Sequence, residues 1–473
     1  QRLANQVWHR QRLLEVGRGR RAWEPLSLIT LQGWFNHLLE GLWPQEAVAS
    51  SLTRLVLWRR ALEAGPQESG TTPSLEWARA LDEVQLSLER HGLPVLEGLP
   101  DDPPIVSWRR QVTRIYTELL RRDGWMSSGR VPYYLRSALE GGRITLPPKI
   151  MLVGFHTPAP VEEACFEALA RRTEVLHLLV KGDARAVAEA VTLPDRRQEV
   201  EWTAAKLLEM AHRENLPLHR LAVTGPDMET YSPLLRRTLE EMLGAPQTEG
   251  GWLYNFTRGP VLPETPLFQA GLLPLKFVLT AERREDLVSL LLSPYFGRFY
   301  PHRRQLPLWD RIFREGRIQQ GWQSLKGAIT RKKEVSASAE ALLPPVERVW
   351  QGLKPFSATG REWVSRLRAA WQELSFPAGL EEIEVEHWQS LQGLLGQVET
   401  SLAGETMSGQ EFLEWLTQGA QDLALSGPGV QEAGIQVMGL LEMRGLDFSR
   451  VLCLGMNSGV FPAAPKPFPL LSS

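Results

Sequence analysis

The sequence predicts an α/β fold with two parallel-sheet cores, each interrupted by a large, mainly helical insertion. Three observations predict it. Six short runs are almost continuously apolar, as strands buried on both faces of a parallel sheet are: LSLIT (26–30), KIMLVGF (149–155), EVLHLLV (174–180), RLAVTG (220–225), IQVMGL (435–440) and VLCLG (451–455). The runs are clustered, not evenly spaced. The tracts between them, about 40–140 and 260–425, repeat apolar residues every three or four positions, as amphipathic helices do.

Each element follows from this pattern. SLTRLVLWRRALEA and SLEWARALDEVQLSLERHG are typical of the helical tracts, and the Pro/Gly-rich joints GLPVLEGLPDDPP and TRGPVLPETP punctuate them. Strands of one sheet are rarely joined by connections this long unless the connection is itself a domain. The first three runs are therefore expected to share one sheet and the last three another. The expected partition is 1–40 with 141–195 as the first core and 41–140 as its insertion. Residues 196–258 with 426–473 form the second core, and 259–425 its insertion. No internal repeat or low-complexity segment is visible.

Composition is that of a globular protein: 43% hydrophobic, 23% charged, net charge −2. No apolar run approaches the ~18 residues that span a bilayer, and the basic N-terminal helix pattern lacks the apolar core of a signal peptide. The two cysteines lie far apart beside apolar residues, so both are expected as buried free thiols in a reducing cytoplasm. Charge is unevenly spread. Residues 301–333 carry nine Arg or Lys against two acids, and residues 1–21 six Arg against one Glu. Such patches on a near-neutral chain suit phosphate contacts, although a solvated face balanced by nearby acids is the better account of any single patch, less so for 301–333. Arg331, Lys332 and Lys333 close the first block and are its candidate DNA contacts. Of the 17 Trp, Trp58, Trp77, Trp363 and Trp415 fall on helical apolar stripes and read as core. Trp34, expected just after a strand, is the candidate for stacking a base of single-stranded DNA.

Two absences bound the chemistry. A P-loop needs Lys followed by Ser or Thr, and none of the nine Lys is so followed. A PD-(D/E)xK nuclease needs an acid two residues before a Lys, and no Lys has one. Asp82-Glu83-Val84-Gln85 mimics a helicase DExQ, but it sits inside a helical period with no strand before it. The nine His show no metal-ligand spacing, and no Ser/His/Asp set stands out.

Further motifs carry a resemblance. Arg444-Gly445-Leu446-Asp447-Phe448 keeps the second half of the T-x-H-x-x-K-G-L-E-F loop of UvrD-like enzymes, with Gly439 and Leu441 where Thr and His would stand. Leu454 to Pro462, LGMNSGVFP, looks like the GLNEGxFP of AddB- and RecC-type proteins. Residues Arg2 to Glu40 and the TP of Thr157-Pro158 after a strand are similar to AddB-like patterns. The chain thus resembles the inactivated superfamily 1 (UvrD/AddB/RecC-like) helicase region of probable DNA-repair proteins of the PD-(D/E)xK nuclease family. That likeness implies two RecA-like, P-loop NTPase-type cores.

The nucleotide contacts of such cores are replaced. Gly154-Phe155-His156-Thr157-Pro158 stands where a strand would end in the Asp-Glu that holds Mg²⁺. Ala186 follows Gly182-Asp183 in place of a phosphate-sensing Gln, and Pro226 stands for a phosphate-contacting Arg. The resemblance implies a catalytically inactive, DNA-binding scaffold with no cofactor of its own, in a bacterial cytoplasm. It would guide DNA to a C-terminal nuclease that lies outside these residues and would work beside a helicase–nuclease partner subunit. Thr30 and Trp34, and Arg444 and Asp447, would lie on the loops that touch single-stranded DNA. Two alternatives stay open: a protein-interaction scaffold without DNA binding, and a helicase completed by a P-loop N-terminal to this chain.

Overall fold

The structure, a computed structural model, describes every residue except 1, 21, 24–25, 67–73, 94–102, 179–186, 249–250, 355–356, 427–432, 464–469 and 471–473. The chain folds as two compact units. One comprises residues 1–50, 57–257 and 427–473, and the other 51–56 and 258–426.

Among the described residues of the first unit, six strands of three residues or more form two parallel sheets. They are β1 (Lys149–Val153), β2 (Glu174–Leu178), β3 (Leu221–Thr224), β4 (Tyr254–Phe256), β5 (Ile435–Val437) and β6 (Arg450–Cys453). β1 and β2 pair as a two-stranded sheet with Ile150 opposite Val175 and Leu152 opposite His177. Its inner face packs on helices Val131–Glu140 and Pro160–Ala170 through Leu135, Leu139, Phe166 and Leu169. The other four strands form one sheet in the order β6-β3-β5-β4, every pair parallel. The runs at 220–225, 435–440 and 451–455 therefore share a sheet. β4 was not among the expected strands; its sequence YNF is short and broken by Asn.

The first expected strand is absent. Residues 26–30 are irregular, because other groups hold this run. The Leu26 carbonyl accepts from Trp8 Nε1 at 2.7 Å, and its N–H donates to Gln11 Oε1 at 3.0 Å. Thr30 is the N-cap of helix Leu31–Leu42, its hydroxyl accepting the Gly33 N–H at 3.1 Å. Both backbone groups of Leu26 and the Thr30 carbonyl, which accepts the Trp34 N–H, are thus taken at the two ends of the run.

The four-stranded sheet owes its core to β3, whose four residues are fully buried. Val200, Ala204 and Leu207 of helix Arg196–Arg213 and Leu235 and Leu239 of helix Met228–Leu243 pack on Leu221, Val223, Ile435 and Val437. Leu235→Ala is expected to cost about 2–5 kcal/mol through lost burial and the cavity left, read as a lower urea midpoint with an unchanged m-value.

The second unit is mainly helical. Among its described residues, eight helices of nine residues or more run from Pro266–Leu279 to Gly409–Gln421. Two small antiparallel pairs, Arg258–Val261 with Ala424–Ser426 and Ala358–Thr359 with Thr406–Met407, join them. Thr359 with Glu362 and Ser408 with Glu411 form capping boxes that fix two helix starts. Trp309, Trp322, Trp363 and Trp415 are fully buried here, as Trp58 is in the first unit, while Trp77 is half-buried against Trp108. Cys165 is buried, but Cys453, at the end of edge strand β6, is exposed, contrary to expectation. No helix among the described residues is long and apolar enough to cross a membrane.

Candidate nucleic-acid interface

In a parallel α/β sheet, ligands bind beyond the carboxyl ends of the strands. At that edge of the four-stranded sheet, β3 runs through Gly225-Pro226-Asp227 into helix Met228–Leu243. The Asp227 carboxylate caps this helix, accepting the Thr230 N–H at 3.2 Å. Hydrogen bonding from Thr230 holds its pKa below the usual carboxylate range. The helix end that could take a phosphate is thus occupied by a side-chain anion.

A second carboxylate fills the next gap. Glu199, in the first turn of helix Arg196–Arg213, accepts the Tyr231 hydroxyl at 2.5 Å and the Gly455 N–H at 2.8 Å. Arg196 lies over the Tyr231 ring, 5.2 Å from its centroid. Burial, then the bond to Glu199, push the Tyr231 hydroxyl pKa up. Two glycines let the loops close. A Cβ on Gly225 would lie 2.6 Å from the Leu454 carbonyl oxygen, and one on Gly455, at φ +67°, would lie 3.0 Å from the Tyr231 ring. Glu199 and Tyr231 were not identifiable from sequence, since a Glu in a helix's first turn and a Tyr one turn into a helix are ordinary there. Gly455 belongs to the LGMNSGVFP motif.

At the end of β1, Gly154 turns the chain at φ +82° and donates its N–H to the Leu178 carbonyl. Phe155 then packs edge-on against Phe166. An aromatic contact thus stands where the resemblance would put metal-binding acids. Gly182, Asp183 and Ala186 lie outside the described residues.

The candidate contacts fall in separate places. Thr30 and Trp34 lie at a helix start, not at a strand end. Trp34 is half-buried against the cluster that contains Phe35; the open indole is Trp43, 88% exposed. Gly439 leaves the carboxyl end of β5, and turns over 440–445 carry the exposed Arg444. By Asp447 the chain has crossed to the amino edge. There Arg220 approaches the Asp447 carboxylate at 3.7 Å, and Ser449 donates its N–H to the Arg220 carbonyl at 2.9 Å.

In the second unit Arg331, Lys332 and Lys333 are all exposed. Arg331 closes helix Trp322–Thr330, its Nε donating to the Gly327 carbonyl at 2.8 Å, a favourable place for a cation at a helix C-terminus. Ion pairs occupy other bases of the block: Arg311 with Glu315 and Glu334, Arg314 with Asp310, and Lys326 with Glu347. Among the described residues, Arg303, Arg304, Arg317, Arg331, Lys332 and Lys333 have no acidic partner.

No family model matches the chain. It is similar to an ATP-dependent helicase/deoxyribonuclease subunit of Moorella thermoacetica (strain ATCC 39073 / JCM 9320), 26% identical over 317 residues. The match covers 60% of the chain and 26% of that protein, so the chain spans about a quarter of its relative's length.

Proposed function

We propose that the chain is a catalytically inactive, helicase-like DNA-binding scaffold of a DNA repair or recombination nuclease. It has two RecA-like cores with helical insertions and guides DNA toward a nuclease carried outside these residues. The distant likeness to a helicase/deoxyribonuclease subunit supports the family reading, and an assembly with a helicase–nuclease partner is proposed with it. The observation that carries DNA binding is the block 301–333, where Arg311, Arg314 and Lys326 pair with Glu315, Glu334, Asp310 and Glu347 and the other six cations are exposed, without an acidic partner among the described residues. Phosphates would neutralise these cations and release counterions. Arg331, Lys332 and Lys333 are its proposed contacts in the second unit, and Thr30, Trp34, Arg444 and Asp447 those in the first.

Silence rests on the same residues that close the frame. Asp227 and Glu199 hold the backbone N–H groups at the carboxyl edge, and the sequence supplies no P-loop Lys. The purified chain is expected to hydrolyse no ATP with or without DNA. Turnover that DNA stimulates and Arg444→Ala abolishes would contradict this.

A second reading has its own support. Met151 and Leu178 are 52% and 46% exposed on the outer face of the β1–β2 sheet, although parallel sheets are ordinarily covered on both faces. This favours a protein-interaction scaffold if the chain binds no DNA.

A further inference from the structure

Residues 297–304, GRFYPHRR, lead into helix Leu306–Glu315 of the second unit. Gly297–His302 is a short 3-10 helix in which Phe299 is fully buried and the next residue, Tyr300, turns outward, 42% exposed. The Tyr300 hydroxyl donates to the Pro294 carbonyl. Gly379 makes room for it: a Cβ there would lie 2.9 Å from the hydroxyl oxygen. The ring is thus tethered at one end while a large part of it stays in water. Three exposed arginines surround it in sequence, Arg298 before it and Arg303 and Arg304 after it. Arg303 follows by three residues, about one 3-10 turn or ~6 Å along the axis.

We propose that Tyr300 is a stacking platform for one unpaired base of single-stranded DNA, with Arg303 and Arg304 holding the flanking phosphates. This rests on the DNA-binding reading and names its substrate as a single strand. An exposed, tethered aromatic ring beside unpaired guanidinium groups is the chemistry that holds single strands without reading sequence. A duplex keeps its bases stacked on one another and offers the ring nothing. The basic run continues from this point. Helix Leu306–Glu315 is about 15 Å long, and Arg311 on its solvent side lies 3.5 Å from Glu334, the residue after Lys333. Tyr300 and Arg303 therefore mark one end of a track whose other end is Lys332–Lys333.

The test is binding of a labelled oligothymidylate of about 20 nucleotides, and of a duplex of equal length, to the whole chain and its variants. Tyr300→Ala and Tyr300→Leu are expected to weaken single-strand binding about 5- to 100-fold, with duplex binding and the salt slope unchanged. Tyr300→Phe, which keeps the ring and loses only the hydroxyl, should bind within about twofold of the parent. Replacing Arg303 and Arg304 together with Ala should instead lower the single-strand salt slope by up to about 1.4. Unchanged single-strand affinity in both the Ala and Leu variants overturns the proposal. So does an equal loss on the duplex, or a Phe variant as weak as the Ala variant. If the parent chain binds no DNA at all, the broader reading fails; if the parent binds and Tyr300 is indifferent, only this proposal does.

Discussion

Replacing Arg331, Lys332 and Lys333 together with Ala is expected to lower single-strand DNA affinity on the order of a hundredfold at about 0.1 M salt. Each phosphate neutralised on a single strand contributes about 0.7 to the slope of log affinity against log salt. Three lost contacts then remove up to about 2 units of slope, which is about two decades of affinity at that concentration. All three side chains are exposed. Arg331 alone makes a backbone bond, to the Gly327 carbonyl, so the fold should lose only a few tenths of a kcal/mol. DNA sequence should matter little, because phosphate contacts carry no base information. A fluorescence anisotropy titration at several salt concentrations reads affinity and slope together. A triple variant with the parent's slope would remove these residues from the interface.

The second large effect concerns the closed edge of the four-stranded sheet. Gly225→Ala is expected to destabilise the chain by about 3 kcal/mol, at the upper end of overpacking penalties. The new methyl would meet the Leu454 carbonyl oxygen at 2.6 Å. That oxygen is backbone just past β6, and Gly225 is backbone just past β3, with which β6 pairs through four residues. Neither can move without disturbing the ladder and the Leu454 N–H bond to the Thr224 carbonyl. Gly41→Ala is the control. It lies inside helix Leu31–Leu42 with no atom within 4 Å of the added Cβ, so it should stabilise by up to about 1 kcal/mol. Urea midpoints of the two variants should move in opposite directions. A Gly225→Ala variant as stable as the parent would mean that the edge is looser than its geometry implies.

The strands that could be read from sequence were those with continuous apolar runs, whether fully buried as β3 is or partly exposed as β1, β2 and β6 are. RLAVTG and IQVMGL are continuous apolar runs because β3 and β5 are buried under helices, whereas VLCLG belongs to edge strand β6, where Val451 and Cys453 are exposed. LSLIT is just as apolar and forms no strand. Its ends are held instead by Trp8 and Gln11 reaching Leu26 and by Thr30 capping a helix, and apolar periodicity records neither the contacts 15 and 18 residues away nor the cap. The basic block at 301–333 was legible as charge. Which of its cations are spent on Asp310, Glu315, Glu334 and Glu347 was not, because Glu334 and Glu347 are distant in sequence from the residues they pair with. The same holds at the sheet edge. The absence of a P-loop Lys could be read from the sequence, yet the bond from the Gly455 N–H to Glu199, 256 residues away, could not.

The salt dependence of single-strand DNA binding by the unmodified chain is the most direct test of a DNA-binding scaffold. Log affinity should fall linearly with log salt, with a slope of magnitude about 2 or more, as three or more neutralised phosphates require. No binding at low salt, or binding that ignores salt, would contradict a DNA scaffold built on the unpaired cations of the second unit.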